Sequence, residues 1–286
     1  MVRAICLIAA LLSSSTLGAS DLYLVASGQL RSASGRDFRT TVWITNLASR
    51  RATVRATFLE RHPLKSPPSP VTIDIGPSET KEIPDLPVQF ERLGVVGAIR
   101  FQSAEPIAVA ARIFSGPPTL GETTGAALRA VTDDAGLEKG DEAFIPGVIY
   151  DAGRNFRQTT YLVETSGRPA GVFVRVRDAR GREVAHDSFL LEAYEQRSLR
   201  IAELTRGVFV RSGSISVRVT GGGGRVYAVG LQIPTRSGDG YFVDMTVLRS
   251  GDRSVFSGAE IVVYSLTALA VIAAVAFEFY NRKRRA

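Results

Sequence analysis

A pattern near the start of the chain, Asp37-Phe38-Arg39-Thr40-Thr41-Val42-Trp43, returns about 118 residues later as Asn155-Phe156-Arg157-Gln158-Thr159-Thr160-Tyr161. Further correspondences keep the same order. Ala52 to Phe58 matches Ala170 to Val176, Ala98-Ile99-Arg100-Phe101 matches Ser214-Ile215-Ser216-Val217, and Ile107 to Ala110 matches Val226 to Val229. Gly121-Glu122-Thr123-Thr124-Gly125 has a looser echo in Ser237-Gly238-Asp239-Gly240. A period of this length means two copies of one domain, not a solenoid of short units.

Each copy reads as strands. Ala52, Val54, Ala56 and Phe58 alternate with Thr53, Arg55 and Thr57, and Val172, Val174 and Val176 alternate with Phe173, Arg175 and Arg177. Ile215, Val217 and Val219 alternate with Ser216 and Arg218. A period of two with polar partners describes sheets that are wet on one face, the habit of antiparallel sheets. Turn signals such as Gly76-Pro77-Ser78, Ser166-Gly167-Arg168-Pro169 and Gly221 to Gly224 separate the runs. Pro84 to Leu93 and Leu190 to Leu204 can each hold a short helical turn. The fold expected is all-β: two tandem immunoglobulin-like antiparallel β-sandwiches of about seven strands each, plus one C-terminal transmembrane helix.

The helix is read from the uncharged, mostly apolar run Ile261 to Phe277, about 25 Å long at 1.5 Å per residue. Ile261, Tyr264, Phe277, Phe279 and Tyr280 form the expected membrane anchor, with the aromatic residues suited to the interfaces. Arg282, Lys283, Arg284 and Arg285 form the cytoplasmic stop. Ala270 and Ala274 are spaced for helix–helix contact, so a homo-oligomer can form through the helix. At the other end, Arg3 precedes an apolar run from Ala4 to Leu12 and then small residues up to Ala19, the pattern of a cleaved secretory signal. The expected organisation is a signal peptide (1–19), sandwich one (20–131), an acidic linker (132–142), sandwich two (143–248), a spacer (249–259), the helix (260–280) and a basic tail (281–286). This places a single-pass protein in the cell membrane with its ectodomain extracytoplasmic.

The formal net charge of +7 owes much to the ends. Without Arg3, the four tail cations, Glu260 and Glu278, 30 basic residues face 26 acidic ones, a balance of about +4. That is too diffuse for a nucleic-acid footprint, so no nucleic acid is expected among the partners. Cys6 is the only cysteine and lies in the signal, so disulfides play no part in the mature chain.

The segment Phe38-Arg39-Thr40-Thr41-Val42-Trp43-Ile44-Thr45-Asn46, the alternating strand Ala52 to Leu59, and Ile73-Asp74-Ile75-Gly76-Pro77-Ser78-Glu79-Thr80 resemble the β-sandwich repeats of secreted and surface proteins of environmental bacteria. The resemblance spans roughly 22–248. In copy two, Glu164 replaces the asparagine and Ala193-Tyr194-Glu195 replaces Gly76-Pro77-Ser78. It implies a non-catalytic extracellular module and assigns no ligand.

No catalytic, cofactor-binding or metal-ligating constellation is found, and no cofactor is expected. His62 and His186 are far apart and read as exposed. Gly221 to Gly224 lacks a following lysine and reads as a hairpin tip. Asp133, Asp134, Glu138, Asp141 and Glu142 read as a solvated linker, with calcium as the alternative. Trp43 and Tyr161 read as core aromatics, with a binding platform as the alternative. Arg175, Arg177, Arg180 and Arg182 read as a solvated face. The function expected is a membrane-anchored, non-catalytic envelope module that binds a protein or surface polymer. The alternative is an accessory subunit or chaperone-like part of an envelope complex, with Val172 to Val176 as an edge strand for strand addition.

Overall fold

The computed structural model describes residues 20–31, 37–60, 68–115, 124–151 and 155–249. The expected signal, the expected transmembrane run with all its anchor, stop and helix-contact positions, His62 and Glu122 lie outside the described residues. The strands are β1 (Ser20–Arg31), β2 (Asp37–Asn46), β3 (Ala52–Leu59), β4 (Val71–Ile75), β5 (Thr80–Ile83), β6 (Val95–Ser103), β7 (Ile107–Ser115), β8 (Thr124–Arg129) and β9 (Val131–Thr132) in the first unit. The second unit contains β10 (Glu142–Tyr150), β11 (Phe156–Glu164), β12 (Ala170–Arg177), β13 (Glu183–Leu191), β14 (Gln196–Arg200), β15 (Val210–Gly222), β16 (Val226–Pro234), β17 (Tyr241–Asp244) and β18 (Thr246–Leu248). One-turn helices α1 (Leu86–Gln89) and α2 (Ile201–Leu204) precede β6 and β15.

The chain is all-β and sandwich-like, with four antiparallel sheets. In the first unit β4-β3-β6-β1 carries β9 on its β1 edge, and β5-β2-β7-β8 forms the other sheet. The second unit repeats both orders, as β13-β12-β15-β10-β18 and β14-β11-β16-β17. Each unit thus has nine strands, not about seven. Among the additions are β9 and β18, of two and three residues, too short to show a period. β1 serves both sheets of the first unit: its register on β6 shifts between Leu24 and Ser27, and its end pairs with β2 at Leu30 and Arg31. A bulge of this kind bends a strand from one sheet to the next.

Val172 to Val176 is not an edge. β12 is hydrogen-bonded to β13 on one side and β15 on the other, so its backbone has nothing to donate. The sequence pattern marks which face of a strand is buried, not its place in the sheet.

Two core clusters form. Leu22, Leu24, Val42, Ile44, Val54, Phe58, Ile99 and Phe101 build the first. The second joins the interior of unit two to residues of unit one, among them Tyr23, Val25, Leu59 and Ala98. Leu137, in the segment between the units, is fully buried there and pairs with Val226.

Equivalent turns are tied by different side chains. Asn46 accepts from Ala48 N at 3.0 Å and donates to the carbonyls of Arg50 at 2.7 Å and Gly76 at 2.8 Å. The fully buried Glu164 carboxylate accepts from the backbone N–H groups of Ser166, Gly167, Tyr194 and Arg225. A carboxylate so placed satisfies donors that would otherwise be buried unpaired.

Because the second cluster joins the two units, Leu137→Ala should cost about 2–5 kcal/mol and lower the midpoint of a single urea transition. Two separate transitions would show the units to be independent. Glu164→Ala should cost about 3 kcal/mol by stranding backbone donors, with Glu164→Gln milder, read from the same curves.

Candidate binding surfaces

Strand parity sorts the sheet residues into inner and outer faces, and the outer faces decide what the molecule can touch. β1 is buried on both sides: Leu22 and Leu24 point into the first cluster, Tyr23 and Val25 into the second. The outer face of β4-β3-β6-β1 therefore packs on the outer face of β14-β11-β16-β17. The contact is apolar, from Leu59, Ala98, Tyr23 and Val25 on one side and Tyr161, Val163, Tyr227, Val229 and Leu231 on the other. Polar links border it. Tyr23 Oη donates to the carbonyl of Thr165, Gln196 N donates to Glu60 O at 3.2 Å, and the Arg100 guanidinium lies 4.5 Å over the Tyr194 ring while pairing with Asp21 at 2.6 Å. Gly125 N donates to Asp239 Oδ1 at 3.1 Å, so the two loosely echoed segments meet each other across the seam. Beside this contact lies an apolar cavity of about 120 Å³, bordered by Phe38, Val96, Ile113, Tyr161, Leu231 and Ile233.

The acidic segment between the units is ordered by arginine. Arg225 pairs with Asp133 at 3.0 Å and Glu138 at 2.8 Å. Arg249 pairs with Asp141 at 2.8 Å and donates to the carbonyls of Gly136 and Asp134. These carboxylates are thus held by guanidinium groups, and among the described residues no group of three or more His, Cys, Asp or Glu is arranged to hold a metal ion. His186 is exposed, 2.6 Å from Glu183 and stacked 5.7 Å from Phe173. The Gly221 to Gly224 turn crosses the Arg168–Ala170 backbone closely, and a Cβ on Gly224 would lie 2.1 Å from Arg168 O. That approach accounts for Gly224 and, with a Cβ 2.2 Å from Pro169 O and a positive φ, for Gly222.

Among the described residues, two outer faces have no sheet packed on them. On β13-β12-β15-β10-β18, Arg175 lies 5.0 Å over Phe173 and pairs with Glu183 at 2.8 Å, while Arg177 lies 5.9 Å over Phe144 and donates to Ser216 Oγ at 3.2 Å. In the adjoining turn Arg182 pairs with Asp178 and holds that carboxyl below its usual range. The arginine group is a solvated sheet face, as its alternation implies. On β5-β2-β7-β8 the outer face carries Trp43, Ala108, Ala110, Arg112, Ala127 and Arg129. Trp43 is half-buried, and its indole N–H donates to Glu82 Oε2 at 3.1 Å. It is not a core residue. It shares parity with Thr41 and Thr45, while Val42 and Ile44 point inward. Its counterpart Tyr161 is buried, but in the seam between units, not within a sandwich.

No protein-family model and no curated protein matches this chain. Solved structures give only distant likenesses. A glycosyl hydrolase family 2 member from Bacteroides cellulosilyticus DSM 14838 aligns at 6% identity and a TM-score of 0.17, over 80% of this chain and 30% of that one. A lectin from Pleurotus ostreatus in complex with GalNAc aligns at 11% identity and a TM-score of 0.18, over 81% and 85% of the respective chains. The infectious bursal disease virus Gt strain aligns at 10% identity and 0.18, over 80% and 72%. At these scores nothing carries over to this chain.

Burial pushes the Tyr161 hydroxyl up to about 12 from 10.0. Burial, together with neighbouring Asp244, does the same for Tyr227, also to about 12. A raised folded value stabilises the fold fully below the unfolded value and loses that contribution as pH climbs through the folded one. The seam should therefore weaken between pH 10 and 12. A phenolate absorbance titration should show these two tyrosines ionising late and together with loss of structure, and Tyr161→Phe should remove part of that alkaline loss.

Proposed function

We propose that the chain is a membrane-anchored, non-catalytic module of the cell envelope. Its ectodomain consists of two tandem immunoglobulin-like sandwiches that present open sheet faces to a partner outside the cytoplasm. The observation that carries this reading is the unequal treatment of equivalent faces. One four-stranded outer face is apolar and spent on joining the units, while its counterpart around Trp43 stays open and is rebuilt with small and polar residues. A rigid two-unit body with dedicated free faces suits recognition of a surface more than turnover of a substrate. The apolar run 261–277 with its basic tail supports the anchor. Among the described residues no helix is long and apolar enough to cross a membrane. The ends of the described fold support attachment at one side. Leu22 of β1 pairs with Thr132, and Arg249 bonds the carbonyls of Asp134 and Gly136, so residues near both ends of the described fold lie at one side.

The mature chain lacks cysteine, so topology can be read with single introduced thiols. Ser188→Cys in intact cells should react with a membrane-impermeant maleimide, and Ala286→Cys only after permeabilisation. Equal labelling of both in intact cells would remove the anchor, and labelling of neither would place the body in the cytoplasm.

A further inference from the structure

The apolar cavity of about 120 Å³ beside the seam has one wall residue whose polar group the fold leaves without a partner. Unit one contributes Phe38, Val96 and Ile113 to the walls, and unit two contributes Tyr161, Leu231 and Ile233. Small residues between them, among them Ala126 and Gly240, leave the space. Three tyrosines lie in or beside the seam. Tyr23 Oη donates to the carbonyl of Thr165, and Tyr227 Oη donates to Asp244 Oδ1 at 3.4 Å. Tyr161 is 9% exposed, and among the described residues no hydrogen bond reaches its hydroxyl. Burial, opposed by the Arg200 charge, governs its ionisation. A buried hydroxyl in this state forfeits a hydrogen bond that it had in water, and native proteins rarely leave one so. A water molecule is the simplest remedy, but a buried water needs about two to four polar partners. Ser27, the other wall residue with a polar side chain, already donates its hydroxyl to Gly97 O at 3.0 Å.

We propose that this cavity binds a compact apolar molecule of about six carbons carrying a single hydroxyl, of which phenol is the simplest case. The volume sets the size, since an engineered apolar cavity of about 150 Å³ takes benzene. The hydrocarbon walls set the class, because a second polar group would be buried unpaired. The Tyr161 hydroxyl sets the one polar atom: it and the hydroxyl of the occupant satisfy each other. Seams between units are common places for such sites. Because the walls come from both units, an occupant also holds the units together, so binding stabilises the docked form. The inference goes beyond the envelope reading and does not depend on it.

Titration calorimetry of the full-length protein in detergent, with empty micelles as the blank, tests this with phenol and with benzene. Phenol should bind saturably with a Kd of about 1 mM or below. Tyr161→Phe should weaken phenol about tenfold and leave benzene unchanged, which separates the hydrogen bond from the space. Ala126→Leu should abolish both by filling the cavity. Val96→Phe repeats that test from the wall of unit one, and circular dichroism shows which variants fold, so one misfolded variant does not decide the outcome. Phenol heats that never saturate, or that persist in the folded filling variants, overturn the site. Phenol and benzene affected equally by Tyr161→Phe overturn the role of the hydroxyl, and with it the class of ligand proposed. The topology read with introduced thiols is untouched by any of these results, so the envelope reading stands or falls separately.

Discussion

Strand β1 needs apolar cover on both of its faces, and the layout of the whole chain follows from that need. Leu22 and Leu24 fill the interior of the first unit, while Tyr23 and Val25 point out of it. In a lone sandwich that outer row would lie in water, where alternation normally places polar side chains. Here the four-stranded sheet of the second unit closes over it. Unit two in turn carries Tyr161, Tyr227, Val229 and Leu231 outward, residues that also need a lid. The result is four sheets stacked face to face, with one hydrophobic interior running from the seam into unit two. Without disulfides, cohesion of this kind has to come from buried apolar area.

Charge keeps the seam in register without adding much to cohesion. Arg225 and Arg249 pin the segment between the units. Asp133 and Glu138 are partly exposed, so the Arg225 pairs contribute little on their own, whereas Asp141 is buried beneath Arg249. Their value lies in direction: they hold Leu137 where it can be fully buried. Arg100 acts similarly at the seam, bracketed between the Tyr23 and Tyr194 rings with its charge met by Asp21. A guanidinium can do this because its flat faces stack while its edge donates.

Much of the fold could be read from the chain. The period of two and the ordered repeat led to antiparallel sheets in two copies, and α1 and α2 fell inside the expected windows, while the 3-10 turn Asp133–Ala135 did not. The docking was missed, although a signal for it exists. Val226 to Gln232 is buried without interruption, and its sequence lacks the polar alternation of a half-wet strand. Aligned with Ile107 to Arg112, the difference is plain: Ala108 and Ala110 against Tyr227 and Val229. Trp43 was misread for a related reason. Size alone pointed to the core, whereas its parity with Thr41 and Thr45 places it outside. The edge position claimed for Val172 to Val176 failed because alternation is blind to neighbours. β12 lies between two strands whose pairing depends on contacts distant in sequence.

A contact between unlike faces of two equal units always leaves one copy of each face unused, and such contacts can propagate into filaments. The unused faces here have diverged from the pair that docks. Around Trp43 the apolar bulk of the docking face is gone, replaced by alanines, Arg112 and Arg129. On the opposite end, Phe144 stands where the first unit has Tyr23, and Ser216 where it has Arg100, while Arg175 and Arg177 cover the neighbouring rings. A third unit would meet charge on one end and a shallow floor on the other. Once docking no longer dictates their chemistry, the end faces can be shaped by something else, and the indole left standing on one of them is where such shaping is most evident.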